Sequence, residues 1–504
     1  MTAYFRRATG AALLFVSTTQ VVYADVTAQD VWSDWKNYMT SVGYEVAGTE
    51  KASGDTLTIS DLSMSMQIPE EDTTVSLDMT SLVFTGNSDG TVAVNMPGTV
   101  PMHVSGEEDG EEFDVVVNFT QSGNSMIVSG APNDMNYNYT ASQVDLTLAS
   151  LVIDGEPAPE DLVQAVMTLT NVISSTQMKL ADIRDYSQRT SADSLSYDVA
   201  FSDPDSDEGG TFRGSLQGLS LQGGGKIPLE VNTGDFPAML AAGFAFSGAF
   251  EYASGQSSMD AKGDGDDISY SGSSQGGKLG VAMDAAHIAY DISQKNTAIN
   301  LTTNQLPFPV SMEMAETNLR IDVPVSESGE EQDFAFGLKL GDFTMSDMIW
   351  SMFDPGAVLP RDPATVVLDL SGKAKVLANI LDPETAANLS GPPGELNALD
   401  INALLVSVAG SKLSGTGSFT FDNSDLASFD GIPAPTGTAN LELIGANGLM
   451  DKLIQMGLMS DSDAMGARMM MGMLAVPGDG ADTLTSQIEI NDQGHISANG
   501  QRIK

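Results

Sequence analysis

The side chains that could do chemistry are few and scattered. Three histidines, His103, His287 and His495, lack the H-x-x-x-H or H-E-x-x-H spacing that sets two imidazoles on one helix face for zinc. His287 stands beside Ile288 in a strand pattern and reads as a hydrogen-bonded sheet histidine. There is no cysteine, which excludes thiolate nucleophiles, cysteine metal sites and disulfides. No G-x-S-x-G elbow and no P-loop occurs, and Gly223-Gly224-Gly225 is not followed by the Lys-Ser/Thr of a phosphate cradle. Asp203-Pro204-Asp205-Ser206-Asp207-Glu208-Gly209 superficially resembles a calcium loop. Its glycine comes one place late, however, and Gly214 stands where a bidentate Glu belongs, so a solvated hairpin tip is expected. Gly263–Asp267 reads the same way. Carboxylate pairs for glycoside hydrolysis are recognised by their separation, which spacing along a chain does not supply. The expectation is a protein that is not an enzyme, with no catalytic residue, metal ligand or cofactor.

What remains could bind. Trp350 and Arg361 sit in MSDMIWSMFDPGAVLPRDPA, where three prolines fall within nine residues. Ser346-Asp347 can cap a short helix whose apolar face is Met348, Ile349, Met352 and Phe353. Asp354-Pro355-Gly356 stops it, because proline lacks the N–H that a continuing helix needs. A rigid, buried corner is expected, with Arg361 locked to Asp354 or Asp362, or else free for an anionic ligand group. Methionines 450, 456, 459, 465, 469, 470, 471 and 473 crowd two helical patterns, Asn447–Gly457 and Asp461–Leu474. They read first as core packing. Met469, Met470 and Met473, with Trp350 and Arg361, are the candidate residues for a flexible apolar guest.

The elements that must position these residues are mostly strands. Alternation marks Leu57, Ile59, Leu62, Met64; Val75, Leu77, Met79; Val92, Val94, Met96; then Phe113–Thr120, Ser125–Ser129, Met135–Tyr139 and Gln143–Ile153. In Leu57–Met64, Leu77–Phe84, Leu146–Ile153, Leu338–Met345 and Leu399–Val406 the apolar positions are one, three, six and eight. Side chains alternate with a period of two, so one face stays inward across such a slip only if an extra residue is inserted, bending the strand. Glu160–Ile173 fits helix and strand equally. Strands after Phe236 repeat the rhythm of Phe113–Ile153, which suggests an internal duplication. Thr27–Ser41 carries Val31, Trp32, Trp35, Tyr38, Met39 and Val42 at helical spacing, with Asp30, Asp34 and Lys36 among the polar positions. It reads as a plug over one end of a sheet. The fold class is mainly β: long curved antiparallel sheet, duplicated, with a few capping helices. The halves are 25–235 and 236–504.

Charge and leader restrict location and partners. The chain has 68 acidic and 22 basic side chains, a net charge of −46. Nucleic-acid binding is excluded, and docking on anionic headgroups is disfavoured. Arg6-Arg7, the apolar run Ala8–Val16 and Val22-Tyr23-Ala24 read as a signal peptide over residues 1–24, so a soluble periplasmic protein is expected. No later stretch approaches the length of a membrane span.

DVWSDWKNYMTSVGYEV, SDMIWSMFDPGAVLPRDPATVVLDLSG, GLMDKLIQMGLM and the closing GHISANGQRIK together resemble the family catalogued as domain of unknown function 2125, of secreted alphaproteobacterial proteins. That family looks related to the AsmA-like proteins of the Gram-negative envelope. The resemblance implies a curved, repetitive β-sheet associated with lipid movement, and it transfers no catalytic residue. The AsmA-like membrane anchor is missing here. The expected partners are therefore a lipid or an envelope protein, with a filled-core, partner-binding protein as the alternative. An outer-membrane barrel fits poorly with an aromatic content of 7% and with internal helices.

Overall fold

The computed structural model describes residues 25–68, 73–108, 110–204, 206–230, 235–263, 265–389 and 391–504, leaving aside the side chains of residues 383 and 384. The expected leader, and Asp205 and Asp264 of the acidic loops, lie outside these residues. Among the described residues 27 strands form one sheet, antiparallel throughout.

The chain meanders. Helix α1 (Ala28–Ser41) leads into β1 (Glu45–Ser53), β2 (Thr56–Ile68) and β3 (Thr73–Gly86). Two short strands, β4 (Val92–Asn95) and β5 (Thr99–Glu108), share the edge of β3. Against them pair β7 (Ser125–Ala131) and β6 (Glu111–Ser122), and the long β8 (Asp134–Ile153) spans both. After β9 (Glu156–Pro157) come β10 (Val163–Leu180), β11 (Ile183–Ser202) and β12 (Gly209–Pro228). The ambiguous stretch near Glu160 is thus strand, paired on both sides.

The same arrangement then recurs. Beyond α2 (Phe236–Ala241), β13 (Ala245–Tyr252) and β14 (Ser254–Gly263) share the edge of β12. β16 (Gly277–Met283) and β15 (Asp266–Ser274) pair with them, and the long β17 (His287–Thr303) spans both. Long, split, split, long: the topology occurs twice, where the strand rhythm suggested a repeat. Even the entries match. Tyr44 N–H donates to Met39 O after Gly43, and Phe244 N–H donates to Met239 O after Gly243, each glycine at positive φ.

The rest is a plain meander of β18 (Val310–Pro324), β19 (Gln332–Met345), α3 (Asp347–Phe353), β20 (Ala364–Val376), α4 (Pro383–Ala387), β21 (Gly394–Val408), β22 (Ser411–Asp422) and β23 (Ala434–Ile444). It closes with α5 (Ala446–Gln455), α6 (Asp461–Leu474), β24 (Val476–Pro477), β25 (Thr483–Ile490), β26 (Ile496–Ala498) and β27 (Gln501–Arg502). Gly445 cannot cap α5 with a side chain, and Asp482 does so instead, accepting from the N–H groups of Asn447 and Gly448.

A crease crosses the strands. Pairing is interrupted at Asp61, Gly123, Asn171, Gly218, Gly276, Asn296 and Asp342, whose φ values are 52°, 57°, 51°, 63°, 113°, 46° and 52°. Only Gly, Asn and Asp occupy these places, the residues that tolerate the left-handed region. This accounts for the phase slips. Leu57 and Ile59 are buried before Asp61, and Leu62 and Met64 after it, although the β2–β3 register is unchanged. There the slip needs a left-handed residue and not the inserted one expected. In β8 and β21 the expected insertion does occur, at Ala149 and Asn402, and β19 shifts its pairing with β20 by one residue between Leu340 and Phe343.

Packing is concentrated at one end. Val31 and Trp32 of α1 are buried against Ile59, Leu62, Leu82, Phe84, Val92, Val128 and Met135, with Met178 and Leu180 of β10 closing the cluster. Arg184 on β11 also reaches α1. From β1 to β11 is seven strand steps, roughly 34 Å of sheet at the usual spacing, whereas a helix with its side chains is about 10–12 Å across. The sheet must therefore curl around α1. Away from that end little is buried. The chain exposes 29216 Å², against roughly 18,000 Å² expected for a compact protein of this mass. A smaller buried cluster, Ala141, Val144, Val172, Ala192 and Leu219, follows on β8–β12, and beyond α1 the only helix of the described residues that packs substantially on the sheet is α5, against β22.

Candidate functional site

Directly opposed residues on neighbouring strands share a face, so the register of the sheet defines rows that run across it. One row is Leu221, Phe250, Leu279, Ile292, Leu319, Leu338, Leu368 and Leu404, on eight successive strand positions. The next on the same face contains Val281, Tyr290, Ile321, Phe336, Leu370 and Ile401. None of the eight residues of the first row is buried, and Leu221, Leu279 and Ile292 are 43%, 45% and 37% exposed. Strand formation is what these residues favour, since branched and aromatic side chains pack well on a pleated surface. What they lack is a second layer. Among the described residues, the helices that pack substantially on strands are α1, over β1–β3, and α5, against β22.

The first row is roughly 34 Å long at the usual strand spacing. The hydrocarbon core of a bilayer, two acyl tails thick, is about 30 Å. An extended tail therefore fits along the row with length to spare. The opposite face is polar, with Arg189, Gln222, Asp291, Arg320 and Asp369 in one row. On that face His287 Nδ1 lies 3.1 Å from Asp322 Oδ1, the hydrogen-bonded sheet histidine that was expected.

The residues singled out from the sequence lie at one rim. Trp350 is half-buried and packs against Phe353, with ring centroids 5.0 Å apart. Arg361 pairs with Asp347, not with Asp354 or Asp362. The reason is that the Asp354 carboxylate is already occupied, accepting from the N–H groups of Val358 (2.9 Å) and Leu359 (2.8 Å). Asp354 is the buried residue of this corner. The expected apolar core is not: no residue of α3 is buried, and Met348 and Met352 are 50% and 64% exposed. The short helix stands at the rim, where no other element of the described residues packs substantially on it.

Pro360 lies beside Gly410 of the β21–β22 turn, which in turn lies beside Lys452 of α5, so the corner and the helical hairpin are neighbours. The methionines do not fill a core as expected. Met450 is buried, but Met465, Met469, Met470 and Met473 are exposed. Ala464, Ala467, Arg468 and Met471 form the inward stripe of α6, and small residues there let α6 approach α5 closely. Arg468 binds Asn447 Oδ1 at 3.1 Å and Asp451.

Sequence reasoning missed a buried charge pair. Asp34, placed among the polar positions of α1, is only 7% exposed, and Arg184 only 4%. A guanidinium nitrogen lies 2.8 Å from Asp34 Oδ1, too poorly aligned for a hydrogen bond, and Tyr137 donates to Oδ2 at 3.1 Å. Burial, and then the charge of Asp34, push the Tyr137 hydroxyl well above its ordinary range. No periodicity connects residues so far apart in sequence. Among the described residues, no group of three or more His, Asp or Glu side chains is placed to hold a metal ion, and no helix is long and apolar enough to cross a membrane.

Residues 229–498 match the family of uncharacterised proteins conserved in bacteria known as DUF2125. The chain belongs to this family. The DUF2125 match contains the Trp350 corner, the helical hairpin and most of the uncovered apolar face, whereas α1 and the strands that curl around it lie outside it. Among curated proteins none matches the chain.

Proposed function

We propose that this protein is exported to a Gram-negative periplasm and shelters an apolar chain, a lipid tail, along the face formed by β12–β21. The single observation behind this reading is the eight-strand row from Leu221 to Leu404, which no helix of the described chain covers substantially. An open apolar surface of this extent is unfavourable in water at about 25 cal/mol per Å² and gains by being covered. The reading is non-enzymatic. Location rests on the leader-like residues 1–24. The kinship with AsmA-like envelope proteins, and with it the idea of lipid movement, belongs to this proposal.

Mass spectrometry of the native protein and of its organic extract tests the reading. A lipid co-purifying with the wild type and lost in Leu319→Glu supports it. Bare wild-type protein, stable and monomeric, removes it. A second reading is a partner-binding envelope protein, favoured by the exposed Met465, Met469, Met470 and Met473 of α6. It predicts a protein captured by the wild type and lost when Met469 and Met470 become serine.

A further inference from the structure

The outer face of α6 is a concentration of thioethers. Met465, Met469, Met470 and Met473 are all exposed, from 58% to 66%. At 3.6 residues per turn the four fall within an arc of about 140°, opposite the stripe of Ala464, Ala467, Arg468 and Met471. Among the described residues only α5 packs substantially on α6, and Arg468 of that inner stripe is the residue that binds Asn447 and Asp451 of α5. The four outer methionines therefore fill no gap in a core, which is the usual work of this side chain.

On a helix, residues three and four apart are neighbours, with Cβ atoms about 5–6 Å apart. Met473 is thus a neighbour of both Met469 and Met470, and Met469 is also a neighbour of Met465. Helical side chains lean towards the N-terminus and cover the turn before their own. Met469 and Met470 accordingly lean over Gly466, where an added Cβ would meet nothing within 4 Å. The glycine leaves an unfilled place, with Met465 beside it, Met469 and Met470 over it and Met473 one turn on. Flexible, unpacked thioether arms of this length are free to turn their sulfurs to one ion.

Thioethers are soft, uncharged donors, and soft sulfur ligands suit Cu(I), whereas magnesium, calcium and manganese take carboxylates and water. Harder ligands are not assembled here. Among the described residues no three His, Asp or Glu side chains are placed to hold a metal, and Asp463 at the start of α6 is occupied in capping Ser460. The chain has no cysteine to compete for a soft ion, and its net charge of −46 draws cations towards it.

We propose that Met469, Met470 and Met473, with Met465 as a fourth donor, form a thioether site for Cu(I). The site is separate from the apolar row, so it and the lipid-tail reading stand or fall separately. It gives these methionines a role other than a partner surface. Substitution by leucine tells the two apart, because leucine keeps the apolar area and the helix propensity and has no sulfur.

Anaerobic competition of the purified protein with bicinchoninate for ascorbate-reduced copper tests it. The wild type is expected to take one equivalent of Cu(I) from the chelator. Met469→Leu, Met470→Leu and Met473→Leu should each weaken binding about tenfold or more, and the triple variant should abolish it. Met259→Leu, on β14 and away from both helices, is expected to bind as the wild type does. Affinity should be the same at about pH 5.5 and 7.5, since a thioether has no proton to lose, whereas an imidazole site weakens in acid. Thermal melting confirms that the variants are folded. Failure of the wild type to take Cu(I), equal binding by the folded triple variant, or binding that is lost in acid overturns the proposal.

Discussion

The α1 end and the β12–β21 region belong to one sheet with one pairing chemistry, yet they treat their apolar faces in opposite ways. At the first, the sheet curls around Trp32 and Val31 and buries them to 2% and 0% exposure. At the second, an equally apolar face made of Leu319, Leu338 and their partners has, among the described residues, no helix packed substantially upon it. The contrast separates what strand pairing supplies from what a covering layer supplies. Backbone hydrogen bonds and cross-strand contacts hold both regions, each such side-chain pair contributing roughly 0.2–1 kcal/mol. Only the first region gains the burial of large side chains and a desolvated charge pair. The second keeps its face available, and it is the region that the family match covers.

The largest effects are expected at the closed end. Arg184→Met leaves Asp34 buried without its counter-charge and is expected to destabilise by about 3–5 kcal/mol, measured by urea unfolding. Adding Asp34→Leu should restore much of this, because two apolar groups desolvate more cheaply than one orphaned charge. Trp32→Ala is expected to cost about 3–5 kcal/mol by the same measurement, through the cavity it leaves. Leu319→Ala, on the open face, should cost no more than about 1 kcal/mol, since its side chain is only partly removed from water. If the two substitutions cost the same, the open face is covered and the comparison fails.

Intermediate effects belong to the rim. Asp354→Ala is expected to cost about 1–3 kcal/mol, since it leaves the N–H groups of Val358 and Leu359 without their acceptor. Asp482 gives a pH signature. Burial alone would raise its carboxyl, but the N–H of Gly448 and the side-chain and backbone amides of Asn447 outweigh this and hold it below its ordinary value of 3.8. A lowered value means that its stabilising contribution is complete above 3.8 and is lost as pH falls through the lowered value. The melting temperature of the wild type should therefore exceed that of Asp482→Asn at neutral pH, and the gap should close in acid. Smallest of all, Met469→Ser is expected to change stability by less than about 0.5 kcal/mol.

Much of this fold could be read from the residues, because side-chain alternation and the 3.6-residue stripe of α1 are local signals. The phase slips in Leu57–Met64 and Leu338–Met345 were visible for the same reason, and in the second the expected extra residue does shift the pairing with β20. In the first the cause was not visible, since left-handed Asp61 becomes part of a crease only when it lines up with Asn171 and Asn296 on distant strands. The Trp350 corner misled because a helical stripe of Met348, Ile349, Met352 and Phe353 gives the same pattern whether or not another layer faces it. Arg361 misled because the Asp354 carboxylate was already occupied by the N–H groups of Val358 and Leu359. The Asp34–Arg184 pair depends wholly on which elements the meander brings together, and pattern along the chain carries no trace of that.

The most direct measurement of the central claim is in-cell photo-crosslinking from two positions on opposite faces, Leu319 on the apolar row and Ser247 on the polar face. The account predicts lipid adducts from a photo-reactive residue at position 319 and none from position 247. Adducts to protein alone from position 319, or lipid adducts of equal yield from both, would contradict it.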